Sequence, residues 1–148
     1  MTMHPWSLWL LPEKKDSFKL KRLINELSIE NGSPSFEPHV TLFGRVSIAP
    51  DPLFKFFEER TVDQKKIVSE IKDLRQGVSP WRTMFLDIKK NPSLDLFQVC
   101  IIEKLNTLRD YDFDPHFSLV YCDKQATKVS IRGASMPKTI RFGSLAVV

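Results

Sequence analysis

The heptapeptide Phe36-Glu37-Pro38-His39-Val40-Thr41-Leu42 returns later in the chain as Phe113-Asp114-Pro115-His116-Phe117-Ser118-Leu119. Phe, Pro, His and Leu are unchanged, and the polar substitutions keep their chemistry: Glu becomes Asp, and Thr becomes Ser. The chain has 3 histidines, and two of them sit in these repeats. Packing alone could duplicate an apolar pattern, but it does not explain a recurring imidazole and hydroxyl. Two imidazoles suit proton transfer in opposite directions, because an unperturbed histidine titrates near pH 6.5 and one can accept a proton while the other donates. Hydroxyls from Thr41 and Ser118 would hydrogen-bond non-bridging phosphate oxygens and set the phosphorus between the histidines. That chemistry is metal-free, in-line opening of a phosphodiester.

The local elements put these groups within reach of one another. Pro38 and Pro115 bias the preceding residue towards extended backbone, so each histidine starts a strand. Alternate residues of a strand share a face, which groups His39, Thr41 and Phe43, and likewise His116, Ser118 and Val120.

The rest of the chain is read around these two strands. Trp6 to Leu11 predicts a buried strand ended by Pro12. Asp16 or Ser17 caps a helix carrying Leu20, Leu23, Ile24 and Leu27 on one face, and Asn31-Gly32 closes it. Asp51-Pro52 opens a short helix through Phe57, and Thr61-Val62-Asp63-Gln64 has the capping-box pattern of another, with Ile67, Ile71 and Leu74 on one side and Gly77 at its end. Thr83–Lys89 and Asp95–Ile102 are expected to form a hairpin about an Asn91-Pro92 turn. Glu103–Arg109 reads as a short helix, the stretch from Asp123 to Pro137 carries no clear pattern, and Thr139–Val148 is a closing strand. The expected class is α+β with a largely antiparallel sheet.

With 148 residues, 42% hydrophobic and 27% charged, the sequence fits one globular domain rather than a disordered chain. The 11 phenylalanines suggest an aromatic core. No apolar run approaches a membrane span of about 20 residues, and the first apolar segment lacks a signal-peptide pattern, so a cytoplasmic protein without membrane association is expected. Cys100 and Cys122 do not make a disulfide framework and read as reduced core thiols, with a pairing between them left open. A formal charge of +4 mildly favours anionic partners such as nucleotides or RNA.

The paired His39-Val40-Thr41-Leu42 and His116-Phe117-Ser118-Leu119 resemble the His-x-Thr/Ser signatures of the 2H phosphoesterase superfamily. Pro34 to Leu42, His116 to Tyr121, Phe97-Gln98-Val99 and Ser7 to Pro12 resemble its cyclic phosphodiesterase branch, in which Phe97-Gln98-Val99 would be a strand. The resemblance implies two pseudosymmetric lobes with outer helices around a central cleft, in one domain over residues 1–148. It implies hydrolysis of a nucleoside 2′,3′-cyclic phosphate or of ADP-ribose 1″,2″-cyclic phosphate by a monomer that needs no cofactor and no metal. Catalysis falls on His39 and His116, phosphate binding on Thr41 and Ser118, and substrate contact on Tyr121. Strand parity puts Tyr121 opposite His116, so that contact requires a bulge or a strand end.

Other readings have weaker support. A zinc site lacks ligand spacing among Cys100, Cys122, His39 and His116, and His4 reads as exposed. No nucleophile elbow or phosphate loop occurs. An enzyme acting on RNA ends or 2′,5′-linked oligonucleotides is the alternative within the superfamily. A non-catalytic RNA-binding module would use Trp81, Phe43 and Tyr121 to stack bases.

Overall fold

Leu20, Leu23, Ile24 and Leu27 form one apolar stripe, and they are buried in the longest helix of the computed structural model. The model describes residues 5–47, 49–62, 64–77, 82–105, 113–122 and 136–148. The order is β1 (Trp6–Pro12), α1 (Lys14–Asn31), β2 (Val40–Val46), α2 (Asp51–Val62), β3 (Val68–Gln76), β4 (Met84–Ile88), α3 (Pro92–Leu105), β5 (His116–Val120) and β6 (Thr139–Val147). The six strands form one sheet in the order β2-β1-β6-β3-β4-β5. Every neighbouring pair is antiparallel. The architecture is therefore α+β, as the sequence implies.

Two β-α-β units, β1-α1-β2 and β4-α3-β5, occupy the two ends of this sheet. Their inner partners β6 and β3 join at a short seam of three aligned pairs, Val68 with Arg141, Ser69 with Ile140 and Glu70 with Thr139. The strands that carry the repeated motif, β2 and β5, are the two edges of the sheet, and the sheet brings these edges against each other. Helix α1 packs on β1, β6 and β5. Helix α3 reaches the opposite unit, where the buried Gln98 amide donates to the Leu42 carbonyl of β2 at 3.1 Å. Each unit's helix thus supports the other unit's motif strand.

The structure corrects several sequence expectations. Helix α1 begins at Lys14, ahead of Asp16, whose carboxylate instead accepts the Arg141 backbone N–H at 2.7 Å. Gly32 closes the helix as expected, in the left-handed region at φ 61°. Helix α2 runs on to Val62, and Thr61 does not cap a new helix, since its hydroxyl donates back to the Phe57 and Glu58 carbonyls. The Asp63 of that pattern lies outside the described residues.

Residues 68–76 form strand β3 rather than a helix. Ile71 pairs with Ile88 and Leu74 with Leu86, so three steps on β3 match two on β4. This bulge separates inward side chains by three residues and imitates helical spacing.

The expected hairpin is a strand followed by a helix. Asn91 caps α3 rather than turning a hairpin: its Oδ1 accepts the Ser93 and Leu94 N–H groups at 3.1 and 3.2 Å, with Pro92 as the first helical residue. Leu94, Phe97, Gln98, Ile101 and Leu105 are buried at helical spacing, so Phe97-Gln98-Val99 is not a strand. Glu103 to Leu105 end this helix, whereas residues 106–109 of the expected short helix lie outside the described residues, as do 123–135. Cys100 and Cys122 are free thiols and half-buried. Among the described residues, no helix is long and apolar enough to cross a membrane.

Asn91→Ala removes both cap bonds and is expected to lower stability by about 1 kcal/mol in chemical denaturation, with little change in m-value.

Candidate functional site

In both motifs the histidine is held by the carbonyl two residues before it. His39 Nδ1 lies 2.7 Å from the Glu37 carbonyl oxygen. His116 Nδ1 lies 2.7 Å from the Asp114 carbonyl oxygen. A carbonyl only accepts, so each Nδ1 carries the donated proton and each Nε2 is left for chemistry. On the first loop, Lys21 of α1 donates to the Phe36 carbonyl at 3.0 Å and pairs with the Glu37 carboxylate at 3.2 Å. On the second, the Asp114 carboxylate pairs with Arg82 at 2.8 Å.

The strands behind the histidines match as well. Trp9 of β1 is the cross-strand partner of Thr41, and Phe85 of β4 is the partner of Ser118. Each aromatic also touches the histidine of its own unit. Trp9 stacks on His39 with centroids 3.5 Å apart and planes 9° apart. Phe85 meets His116 edge to face at 5.4 Å. In the sequence Trp9 reads only as part of a buried strand, and nothing local singles out Phe85. The available signal was parity, because Trp9 alternates with the buried Leu8 and Leu10 and so falls on the other face.

Both motif strands bulge at the repeated leucine. Leu8 pairs with Phe43 and Trp9 with Thr41, which leaves Leu42 as an extra residue in β2. Met84 pairs with Val120 and Phe85 with Ser118, which leaves Leu119 extra in β5. The bulge reverses the side-chain alternation beyond it. Phe43 and Val120 are therefore fully buried in the core, and neither shares the histidine face of its motif as simple alternation predicts. The same reversal returns Tyr121 to the site, where it hydrogen-bonds Ser118. The strand ends there, pinned by the Thr83 hydroxyl, which donates to the Cys122 carbonyl at 2.9 Å and accepts the Cys122 N–H at 3.2 Å.

Phe36 links the two units across the site, lying 4.4 Å from the Tyr121 ring and 6.3 Å from the His39 ring. His39 and His116 are near enough that a proton on His116 disfavours one on His39. The structure thus gathers all five residues singled out from the sequence: His39, Thr41, His116, Ser118 and Tyr121. His4 and Trp81 lie outside the described residues.

Burial is the first cause that lowers both histidine pKa values below the ordinary range. The Glu37 carbonyl opposes it at His39, where His116 adds to the lowering. At His116 the Asp114 carbonyl opposes burial; Arg82 lowers the value further, while the Asp114 and Asp87 carboxylates raise it. Burial raises the Tyr121 pKa, against the hydrogen bond with Ser118, so the phenol stays protonated. Among the described residues, no three His, Cys, Asp or Glu side chains gather as a metal-binding group. A cavity of about 400 Å³ lined by Lys19, Arg22, Glu26 and Lys138 lies apart from the histidines.

The fold matches that of LigT from Escherichia coli in complex with 3′-AMP, with a TM-score of 0.64 at 16% identity over 97% of this chain and 86% of that one. That likeness is one of fold, and in this chain a histidine motif lies on each edge strand of the sheet. Residues 3–136 match the family described as cyclic phosphodiesterase-like protein, and the chain belongs to that family. It is 25% identical over 118 residues to the cyclic phosphodiesterase of Arabidopsis thaliana, a match covering 80% of this chain and 65% of that protein. It is 25% identical over 157 aligned positions to a 2′,3′-cyclic-nucleotide 3′-phosphodiesterase of Yarrowia lipolytica, covering 79% of this chain and 73% of that protein.

The lowered histidine pKa values set the sign of a stability effect. Above about pH 6.5 the histidines are neutral in folded and unfolded chains alike; below it the unfolded chain takes up protons that the buried rings resist, so stability falls until the folded pKa values are passed. His39→Asn keeps a side-chain donor for the Glu37 carbonyl and is expected to make the fall in Tm between about pH 7.5 and about pH 5.5 shallower.

Proposed function

We propose that residues 1–148 act as one bilobal phosphoesterase domain that hydrolyses cyclic phosphodiesters by paired histidines. The observation that carries this reading is the pair of imidazoles, each anchored through Nδ1 with Nε2 left free. The substrate class is a nucleoside 2′,3′-cyclic phosphate opened to the 2′-phosphate, or ADP-ribose 1″,2″-cyclic phosphate. The name of the Arabidopsis relative supports a cyclic phosphodiester, and the name of the Yarrowia relative and the 3′-AMP bound by LigT support a nucleotide-like ligand.

In the nucleoside case one histidine accepts a proton from water as the water oxygen bonds to phosphorus. The bond from phosphorus to the 3′ oxygen breaks, and the other histidine gives that oxygen its proton. Thr41 and Ser118 donate hydrogen bonds to the non-bridging oxygens, and Tyr121 contacts substrate beside Ser118. Such a route needs no Lewis acid, because both protons move through imidazoles.

The non-catalytic RNA-stacking alternative loses Phe43, which is fully buried. No particular observation favours RNA ends over free cyclic nucleotides.

Product analysis on a panel of cyclic phosphates and short oligonucleotides tests the reading. 2′-Phosphate release is expected to persist in the presence of a chelator. His39→Ala and His116→Ala are each expected to lower kcat by about 10²–10⁴-fold with the fold retained by circular dichroism. Full activity in either variant overturns the mechanism. The pH profile of kcat/KM is expected to be bell-shaped with its optimum on the acid side of about pH 6.5, since burial lowers both imidazoles.

A further inference from the structure

The two histidines are anchored alike but meet different aromatic surroundings. Phe85 meets His116 at 69°, and its ring already has Arg82 and Arg75 over it at 4.4 and 5.9 Å. Trp9 instead lies flat on His39, centroid to centroid at 3.5 Å. An indole face is electron-rich and attracts a cation in contact with it, so such a stack is stronger for imidazolium than for neutral imidazole. It also fixes the ring plane, while the Glu37 carbonyl fixes the rotation about it.

Among the described residues, the charged and titratable groups near His39 include His116, the Glu37–Lys21 pair and Tyr121. His116 faces it from β5. Glu37 precedes it, with its carboxylate paired to Lys21 of α1. Tyr121 lies beyond Phe36, with its phenol protonated. None of these offers His39 an unpaired anion as a partner for its charged form.

We propose that Trp9 is a positioning residue for the phosphodiester reaction, holding the His39 ring in its working plane and stabilising its protonated form within a buried site. The role rests on the reading of His39 as an acid–base group, and it adds a residue outside the repeated motif. A merely structural Trp9 would fill space equally well as an aliphatic side chain of similar reach. A π face cannot be replaced in that way.

Histidine NMR titrations without substrate test this separately from the proposed activity, with the His39 signal assigned through His39→Asn. In Trp9→Leu, which keeps the site covered but removes the π face, the His39 pKa is expected to fall by about half a unit to one and a half units. Trp9→Phe is expected to fall between Trp9→Leu and the parent, with the His116 pKa nearly unmoved. Replacing tryptophan by its mono- and difluorinated forms weakens the π face at almost constant shape, and the His39 pKa is expected to fall stepwise with fluorine content. This series also covers the case in which Trp9→Leu does not fold. On substrate, Trp9→Leu is expected to lower kcat with KM nearly unchanged, and Trp9→Phe to recover most of the loss. An unchanged or raised His39 pKa across the fluorinated series overturns the proposal.

Discussion

Each motif histidine gives one ring nitrogen to a backbone carbonyl two residues earlier, and that small loop of chain decides what the other nitrogen can do. The bond selects one tautomer, so Nε2 is the nitrogen left to exchange a proton. It also requires the chain before the strand to be extended, a geometry that Pro38 and Pro115 impose on Glu37 and Asp114. Much of the surrounding structure steadies these two segments. Lys21 holds the first from α1, and Arg82 pairs with Asp114 on the second.

The sheet then brings two equivalent segments together. Its antiparallel order places β2 and β5 at opposite ends, in equivalent positions of the strand order about the seam between β3 and β6. The bulges at Leu42 and Leu119 obey the same relation. So do the aromatic partners Trp9 and Phe85, but the two halves are not copies in chemical detail. Charged pairs surround His116, including Arg82 with Asp114 and, on the neighbouring strand, Arg75 with Asp87. His39 has an indole instead. In the proposed mechanism the two histidines act in opposite senses, and a difference of this sort would set their roles apart.

The candidate site was legible because its information is local and written twice. Identity, spacing and proline placement all lie within seven residues, and strand alternation puts His39 with Thr41 and His116 with Ser118. The conditional requirement for Tyr121, a bulge or a strand end, is met by both. Legibility failed where tertiary pairing overrode local pattern. The spacing of Ile67, Ile71 and Leu74 looked helical because a bulge in β3 stretched an inward pair from two residues to three. The run Asp95–Ile102 looked like a strand, yet burial of Leu94, Phe97, Ile101 and Leu105 against the core favours a helix. Phe43 was misplaced by assuming uninterrupted alternation across Leu42. Trp9 was missed because its partner His39 is distant in sequence, so the stack exists only once β1 and β2 are paired.

Placing the motif strands at the margins of the sheet also bears on solubility. A sheet edge offers unpaired backbone groups to any passing strand, and a flat apolar edge invites association between chains. Here the two margins are the strands that hold the histidines, so an added strand would obstruct the candidate site. The fold limits that hazard with the same features that shape the site. The margins turn towards each other, a bulge interrupts each one, and Gln98 occupies the Leu42 carbonyl. A substitution that straightened either bulge would therefore expose the protein to self-association while displacing Tyr121 or Phe43.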